Sequence, residues 1–383
     1  MSWSIAFQVV AACAWGMSLL VAVAPLRIRL RTSLLLAALL ALAFGKFAFF
    51  AVAGGDCFVP DLPESVIWCY GGLYSWAMLF TAFALVAVLA DGVFRVCGRS
   101  VPLHVKRIRT AILALVAAVL SAWGIYEGVR VPDVHRMELS WKELPPAFDG
   151  YRIVHMSDLH CSSAARRGHF ERIVDVANSL DADLIAITGD FVDGHVADRE
   201  SDLAPLAELR ANDGVVGCTG NHEAYWDWKG WRKTLKRWGI SFPEESGAIV
   251  LRRGNGTIAI GAVRDPAFLG KRADYKDVIK IRSAFDGVPK DAFRIFLCHR
   301  PWADAAGSAP ADVRLQLSGH THGGIMPPFR PLVAAMNEGR TNGLYEFAKD
   351  RFLNLSTGTG QWAGFPLRLF NPTEITEITL RRR

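Results

Sequence analysis

The sequence predicts an α/β domain preceded by a four-helix transmembrane region. Three observations carry this expectation. The first third of the chain holds four long apolar stretches, β-branched runs then alternate with periodic helical stretches, and Asp, Asn and His side chains cluster where several of those runs end. The implied organisation is a transmembrane region over 1–129, a short linker over 130–148 and a catalytic domain over 149–383.

The spans read as Ile5 to Ala24, Ser33 to Ala53, Val66 to Ala90 and Thr110 to Tyr126. Each approaches or exceeds the roughly 17 to 25 residues that cross a bilayer. The first has no basic leader and is followed by three more spans, which argues against a cleaved signal peptide. Charge orients the bundle. Arg27, Arg29 and Arg31 separate spans one and two, and Arg95, Arg99, Lys106, Arg107 and Arg109 separate three and four, whereas the loop from Gly54 to Ser65 carries Asp56, Asp61 and Glu64 and no Lys or Arg. The positive-inside rule makes the basic loops cytoplasmic. Everything after Tyr126 is then extracytoplasmic, on a bacterial inner or plasma membrane. Lys46, inside the second span, is expected to snorkel toward Asp56 or a lipid phosphate.

This topology also explains the chain's basicity. Residues 1–130 carry ten Lys or Arg against five Asp or Glu, so +5 of the net +6 belongs to them and +1 to the remainder. No Lys/Arg-rich run with interleaved aromatics is present, which speaks against a nucleic-acid partner.

In the second part, Arg152 to Met156, Leu184 to Thr188, Val215 to Cys218, Thr257 to Val263, Arg294 to Cys298, Arg314 to Leu317, Phe352 to Leu355 and Ile375 to Leu380 read as strands. Phe170 to Leu180, Leu203 to Leu209 and Trp231 to Trp238 read as helices. Pro132, Pro145 and Pro146 mark the linker.

Five short clusters of metal-binding side chains stand out, four of them after strand-like runs. In order they are Asp158-Leu159-His160, Gly189-Asp190, Gly220-Asn221-His222-Glu223, Cys298-His299 and Gly319-His320-Thr321-His322. Hard oxygen and imidazole donors in these numbers are enough to hold two divalent cations with positions left open for water and a phosphate oxygen. The adjacent glycines let the backbone turn sharply and come close.

The five clusters in this order resemble the calcineurin-like metallophosphoesterase family, from roughly Gly150 to Leu380. The resemblance implies a four-layer α/β/β/α sandwich of two mixed sheets. It implies one metal on Asp158, His160 and His322, another on Asn221, His299 and His320, and Asp190 bridging them. A hydroxide shared by the pair would attack phosphorus in line. His222 would bind phosphate and protonate the leaving oxygen, with Glu223 placed to orient its imidazole. The cofactors expected are two divalent metal ions, with Mn favoured and Zn, Fe, Co or Ni as alternatives. The partners expected are the lipid bilayer and a phosphomonoester or phosphodiester, lipid-linked or envelope-derived, because the short linker leaves little reach.

Other residues receive blander readings. His104, His135, His155, His169 and His195 read as structural, and Asp193 as a cap on the following segment. Seven cysteines do not make a disulfide framework. Cys57 and Cys69 would face an oxidising compartment and are candidates to pair, whereas Cys161, Cys218 and Cys298 read as small core residues. Ile325 to Phe329 with Trp362, Phe365, Leu367 and Phe370 read as an apolar rim or as ordinary core. The alternative function is a membrane transporter or receptor module carrying an accessory or non-catalytic phosphate-binding domain. The spans lack the Gly/Pro-broken polar midplane of many transporters.

Overall fold

In the computed structural model, residues 3–269, 283–301, 312–327 and 329–383 are described, and the chain divides into two units. One comprises Met1–Glu127 with Ala363–Leu369, the other Gly128–Trp362 with Phe370–Arg383.

Runs of Leu, Ala and Phe make the first unit helical and leave large apolar side chains on its outer surface. Its helices are α1 (Trp3–Ser18), which continues through a π-helical turn at Leu19–Val23, α2 (Leu30–Phe44), α3 (Lys46–Gly54), α4 (Glu64–Val96) and α5 (Leu103–Val129). Among the described residues, three helices are long and apolar enough to cross a membrane, and α2 with α3 makes a fourth span if the pair, bent by 56°, is counted as one. The second expected span is therefore broken, at Gly45. The basic loops lie together. Arg107 donates to the carbonyls of Leu26 and Arg27 at 3.1 and 3.0 Å, and Arg109 forms a two-bonded pair with Asp91 at 2.6 and 2.8 Å. Cys57 and Cys69, candidates to pair, are not joined by a disulfide: Cys57 is buried and Cys69 exposed.

The second unit is a sandwich of two six-stranded mixed sheets. Its strands are β1 (Asp133–Trp141), β2 (Arg152–Met156), β3 (Leu184–Thr188), β4 (Val215–Cys218), β5 (Ile240–Ser241), β6 (Ile249–Arg253), β7 (Gly256–Ala262), β8 (Phe293–Leu297), β9 (Val313–Ser318), β10 (Gly343–Ala348), β11 (Arg351–Leu355) and β12 (Glu374–Arg382). The first sheet has the order β1-β12-β2-β3-β4-β5, the second β10-β11-β9-β8-β7-β6. β2 to β5 run parallel, as do β7, β8, β9 and β11.

Alternation along β3 shows how the layers form. Leu184 and Ala186 join the core between the sheets with Ile153, Ile260, Ile295 and Leu317. Ile185 and Ile187 point the other way, into a core shared with Phe170 and Ile173 of α6 (Arg167–Ser179) and Trp231 and Leu235 of α8 (Trp228–Arg237). Burial on both faces is why the strand reads as an uninterrupted apolar run.

Some expectations are corrected. Residues 130–148, expected to be linker, contain β1, which pairs in parallel with β12 over its whole length. Only residues 130–132 separate α5 from β1. The helix expected at Leu203 to Leu209 is instead α7 (Val196–Leu203) followed by a 3-10 turn at Ala204–Glu208, where Pro205 cannot donate the amide that would continue an α-helix. Of the apolar-rim residues, Met326 and Leu367 are buried and Phe370 is exposed. Pro328 lies outside the described residues.

Candidate metal centre

Five parallel strands deliver the site. β2 leads to Asp158 and His160, β3 to Asp190, β4 to Asn221 and His222, β8 to His299, and β9 to His320 and His322. Ligands are expected at the carboxyl ends of parallel strands in α/β sheets. The backbone bends hard to put them there. Asp158, His160, Asp190, His320 and His322 all have left-handed φ, between 47° and 75°. Non-glycine residues seldom adopt that conformation, and its cost is typical of functional sites. Close approach requires glycine at two neighbours. A Cβ on Gly220 would lie 2.1 Å from Asp190 Oδ1, and one on Gly319 would lie 1.9 Å from Ser157 Oγ and 2.2 Å from Asp158 Oδ2.

The donor atoms fall into two groups. His160 Nε2 and His322 Nε2 are 3.1 Å apart, with Asp158 Oδ1 3.9 and 3.5 Å from them. His299 Nε2 is 3.2 Å from each of Asn221 Oδ1, Asp190 Oδ2 and His320 Nδ1. Asp190 Oδ2 also lies 3.7 Å from His160 Nε2, so this one carboxylate faces both groups.

Tautomers are set from behind. The Thr188 carbonyl accepts from His299 Nδ1 at 2.7 Å, which leaves Nε2 unprotonated toward Asp190 in the neutral ring. Asp193 Oδ2 accepts from His160 Nδ1 at 3.1 Å, with the same result. The other oxygen of Asp193 pairs with His222 Nδ1. Asp193 is fully buried between the two rings, and although burial raises its pKa, His222 and His160 outweigh that and hold the carboxyl well below its usual range.

Two expectations change here. Asp193 is not a cap, since α7 begins at Val196 after His195, and its side chain serves two imidazoles instead. Glu223 does not hydrogen-bond to His222: its carboxylate accepts the backbone N–H groups of Asp190, Phe191 and Gly220 at 2.7 to 2.9 Å, clamping two of the ligand loops together. The spacing Gly189-Asp190-x-x-Asp193 was the signal for Asp193, but spacing alone does not show which way the carboxylate turns. Tyr225, which the sequence does not single out, and Trp362, which reads from sequence as apolar rim or core, both lie beside His222. Their ring centroids lie 5.4 and 5.8 Å from that of His222. His155, read as structural, bridges Thr188 Oγ1 and Asn354 Nδ2 at 2.8 and 2.9 Å inside the core.

A family model described as calcineurin-like phosphoesterase matches residues 151–324. A Danio rerio protein named transmembrane protein with metallophosphoesterase domain is 32% identical over 281 residues, covering 72% of this chain and 63% of that protein. A Bos taurus protein of the same name is 30% identical over 286 residues, covering 72% and 63%. The chain thus spans less than two thirds of the length of these two relatives. A Bacillus subtilis protein named uncharacterized metallophosphoesterase YkuE is 30% identical over 285 residues, covering 70% of this chain and 94% of that protein. The chain belongs to the calcineurin-like metallophosphoesterase family.

The donor set of this metallophosphoesterase fits divalent metal. Metal–ligand distances of about 2.0–2.2 Å put neighbouring ligand atoms roughly 3 to 3.5 Å apart. The closest donor separations, 3.1 to 3.2 Å, fall there. Facing imidazole nitrogens and buried carboxylates are costly without a cation to share.

Proposed function

We propose that this metallophosphoesterase is a membrane-anchored phosphoester hydrolase that works with two divalent ions. Asp158, His160 and His322 would hold one, Asn221, His299 and His320 the other, with Asp190 between them. The supporting observation is the placement of one buried carboxylate, Asp190, against imidazoles of both groups. When bound, the two ions supply positive charge against the phosphoryl oxygens and acidify a water that serves as nucleophile.

The chain's own residues handle the leaving group. His222 Nε2 lies 3.9 Å from Asp190 Oδ2, at the edge of the donor cluster, and Asp193 fixes the ring from Nδ1. Burial lowers the imidazole's pKa, but Asp193 and Asp190 outweigh it and raise it to about 9. Bound cations would oppose that rise, and the Asp193 carboxylate at Nδ1 would favour the protonated ring against them. A protonated Nε2 facing the phosphate is a general acid for the departing oxygen.

The substrate is a phosphomonoester or phosphodiester, lipid-linked or envelope-derived. The tether of residues 130–132 between α5 and β1 supports this. The charge asymmetry of the loops supports an extracytoplasmic catalytic unit. Mn is favoured as a labile ion matched to mixed oxygen and imidazole donors.

The test is hydrolysis of p-nitrophenyl phosphate, bis-p-nitrophenyl phosphate, and a lipid phosphomonoester and diester. Metal-stripped protein is assayed with Mn, Zn or no metal, and Asp190→Asn is the control. Metal-dependent turnover that disappears in the Asn variant is expected. Absence of turnover with every metal would sink the reading.

A further inference from the structure

Lys46 turns inward and does not reach for Asp56. It is the first residue after the break at Gly45, it is completely buried, and its Nζ donates to the carbonyls of Gly364 at 2.9 Å and Ala363 at 3.3 Å. The rings of Phe47, Phe50 and Tyr74 surround the ammonium at 4.8 to 5.3 Å. A charge buried in an apolar helical unit is expensive, and a leucine would pack the same helix without that cost.

What Lys46 holds is a piece of the C-terminal half of the chain. The chain leaves the phosphoesterase unit after Trp362, contributes Ala363–Leu369 to the membrane unit and returns at Phe370. Phe365 sets its ring edge-on to Tyr74, with centroids 6.4 Å apart. Pro366 packs on Gly71 and Leu367 on Gly124, so tightly that a Cβ on either glycine would lie 2.6 or 2.4 Å from them. The Arg368 N–H donates to the Gly124 carbonyl at 3.0 Å. Small residues facing an inserted segment are how membrane helices admit close packing. The residue at the near end of this segment is Trp362, whose ring lies beside His222.

We propose that Lys46 is a positioning residue for Trp362: by gripping the carbonyls of Ala363 and Gly364 it fixes the inserted segment and thereby sets the aromatic wall beside His222. This inference rests on the phosphoesterase reading, since it takes His222 as the group facing the leaving oxygen. Trp362 and the exposed Tyr225 then flank the leaving group, a lining suited to an apolar or planar moiety. The membrane helices thus contribute to leaving-group binding through the chain itself.

The test uses the full-length chain in lipid nanodiscs, labelled with 5-fluorotryptophan, with the Trp362 fluorine resonance assigned by its loss in Trp362→Phe. Lys46→Met is expected to shift that resonance and to speed amide exchange across 363–369. It is also expected to raise KM for bis-p-nitrophenyl phosphate about five- to tenfold, with kcat changing far less, on the order of one or two lost hydrogen bonds. Trp362→Ala should give the same KM change, and the double variant should be no worse than either single one. Leu367→Ala, which loosens the segment's packing on Gly124 without substituting a helix residue, serves if Lys46→Met fails to assemble. An unmoved Trp362 resonance in the assembled variants, or KM effects that multiply in the double variant, would overturn the proposal. If wild type hydrolyses neither p-nitrophenyl phosphate nor bis-p-nitrophenyl phosphate with any metal, the phosphoesterase reading fails while the fluorine signal still decides whether Lys46 positions Trp362.

Discussion

Asp193 carries out two tasks with one carboxylate, and they can be separated experimentally. Its contact with His222 matters most when the departing oxygen is a poor leaving group that needs a proton. Asp193→Asn is expected to slow hydrolysis of an alkyl phosphoester about a hundredfold and p-nitrophenyl phosphate far less. Equal losses on both substrates would show that the residue acts through metal binding instead. His155 makes a separate prediction. Burial holds its pKa down to about 3, against about 6.5 in an unfolded chain, so the folded protein keeps the ring neutral. A depressed folded pKa contributes stability above the unfolded value and loses it as pH falls. Between pH 6.5 and pH 5 the loss from this group is on the order of 2 kcal/mol. Chemical unfolding of wild type and His155→Gln across that window checks it, and parallel pH dependence in the two proteins would contradict it.

At the scale of elements, the loops after the strands are built around tight approaches, not around flexibility. Gly319 is the clearest instance, because its α-carbon faces Ser157 and Asp158 with no room for a methyl group. Gly319→Ala is expected to cost about 1–3 kcal/mol of stability by overpacking. It should also weaken metal binding, because the Asp158 carboxylate must move. Titration calorimetry with Mn on the variant checks this; unchanged affinity would mean that the loop yields without disturbing Asp158. The bend at Gly45 is an element-scale feature of the same kind. A continuous helix was the natural reading of Ser33 to Ala53, yet the break sends Lys46 to carbonyls more than three hundred residues away in sequence.

Across the whole molecule, the candidate centre gathers four imidazoles, Asn221 and two carboxylates, held by left-handed backbone turns. Ions that bind only the folded state stabilise it, by about 2.7 kcal/mol at a hundredfold excess over the dissociation constant. Mn is therefore expected to raise the thermal unfolding midpoint in detergent by roughly 5 to 10 °C. Asp190→Asn should lose most of that gain, and an equal gain in wild type and variant would place the binding elsewhere.

The sequence by itself determined much of this protein. Apolar runs of bilayer length gave the membrane helices, β-branched runs buried on both faces gave β2, β3 and β4, and the order of five short clusters gave the donor residues, because composition and spacing are local properties. Tertiary structure decided the rest. Strand β1 has no strong apolar alternation and exists because β12 offers it a parallel edge. Asp193, Glu223, Trp362 and Lys46 acquired their places from the direction a side chain takes once distant segments meet. That direction is fixed by which buried polar groups satisfy one another, and such pairing is a property of the folded whole.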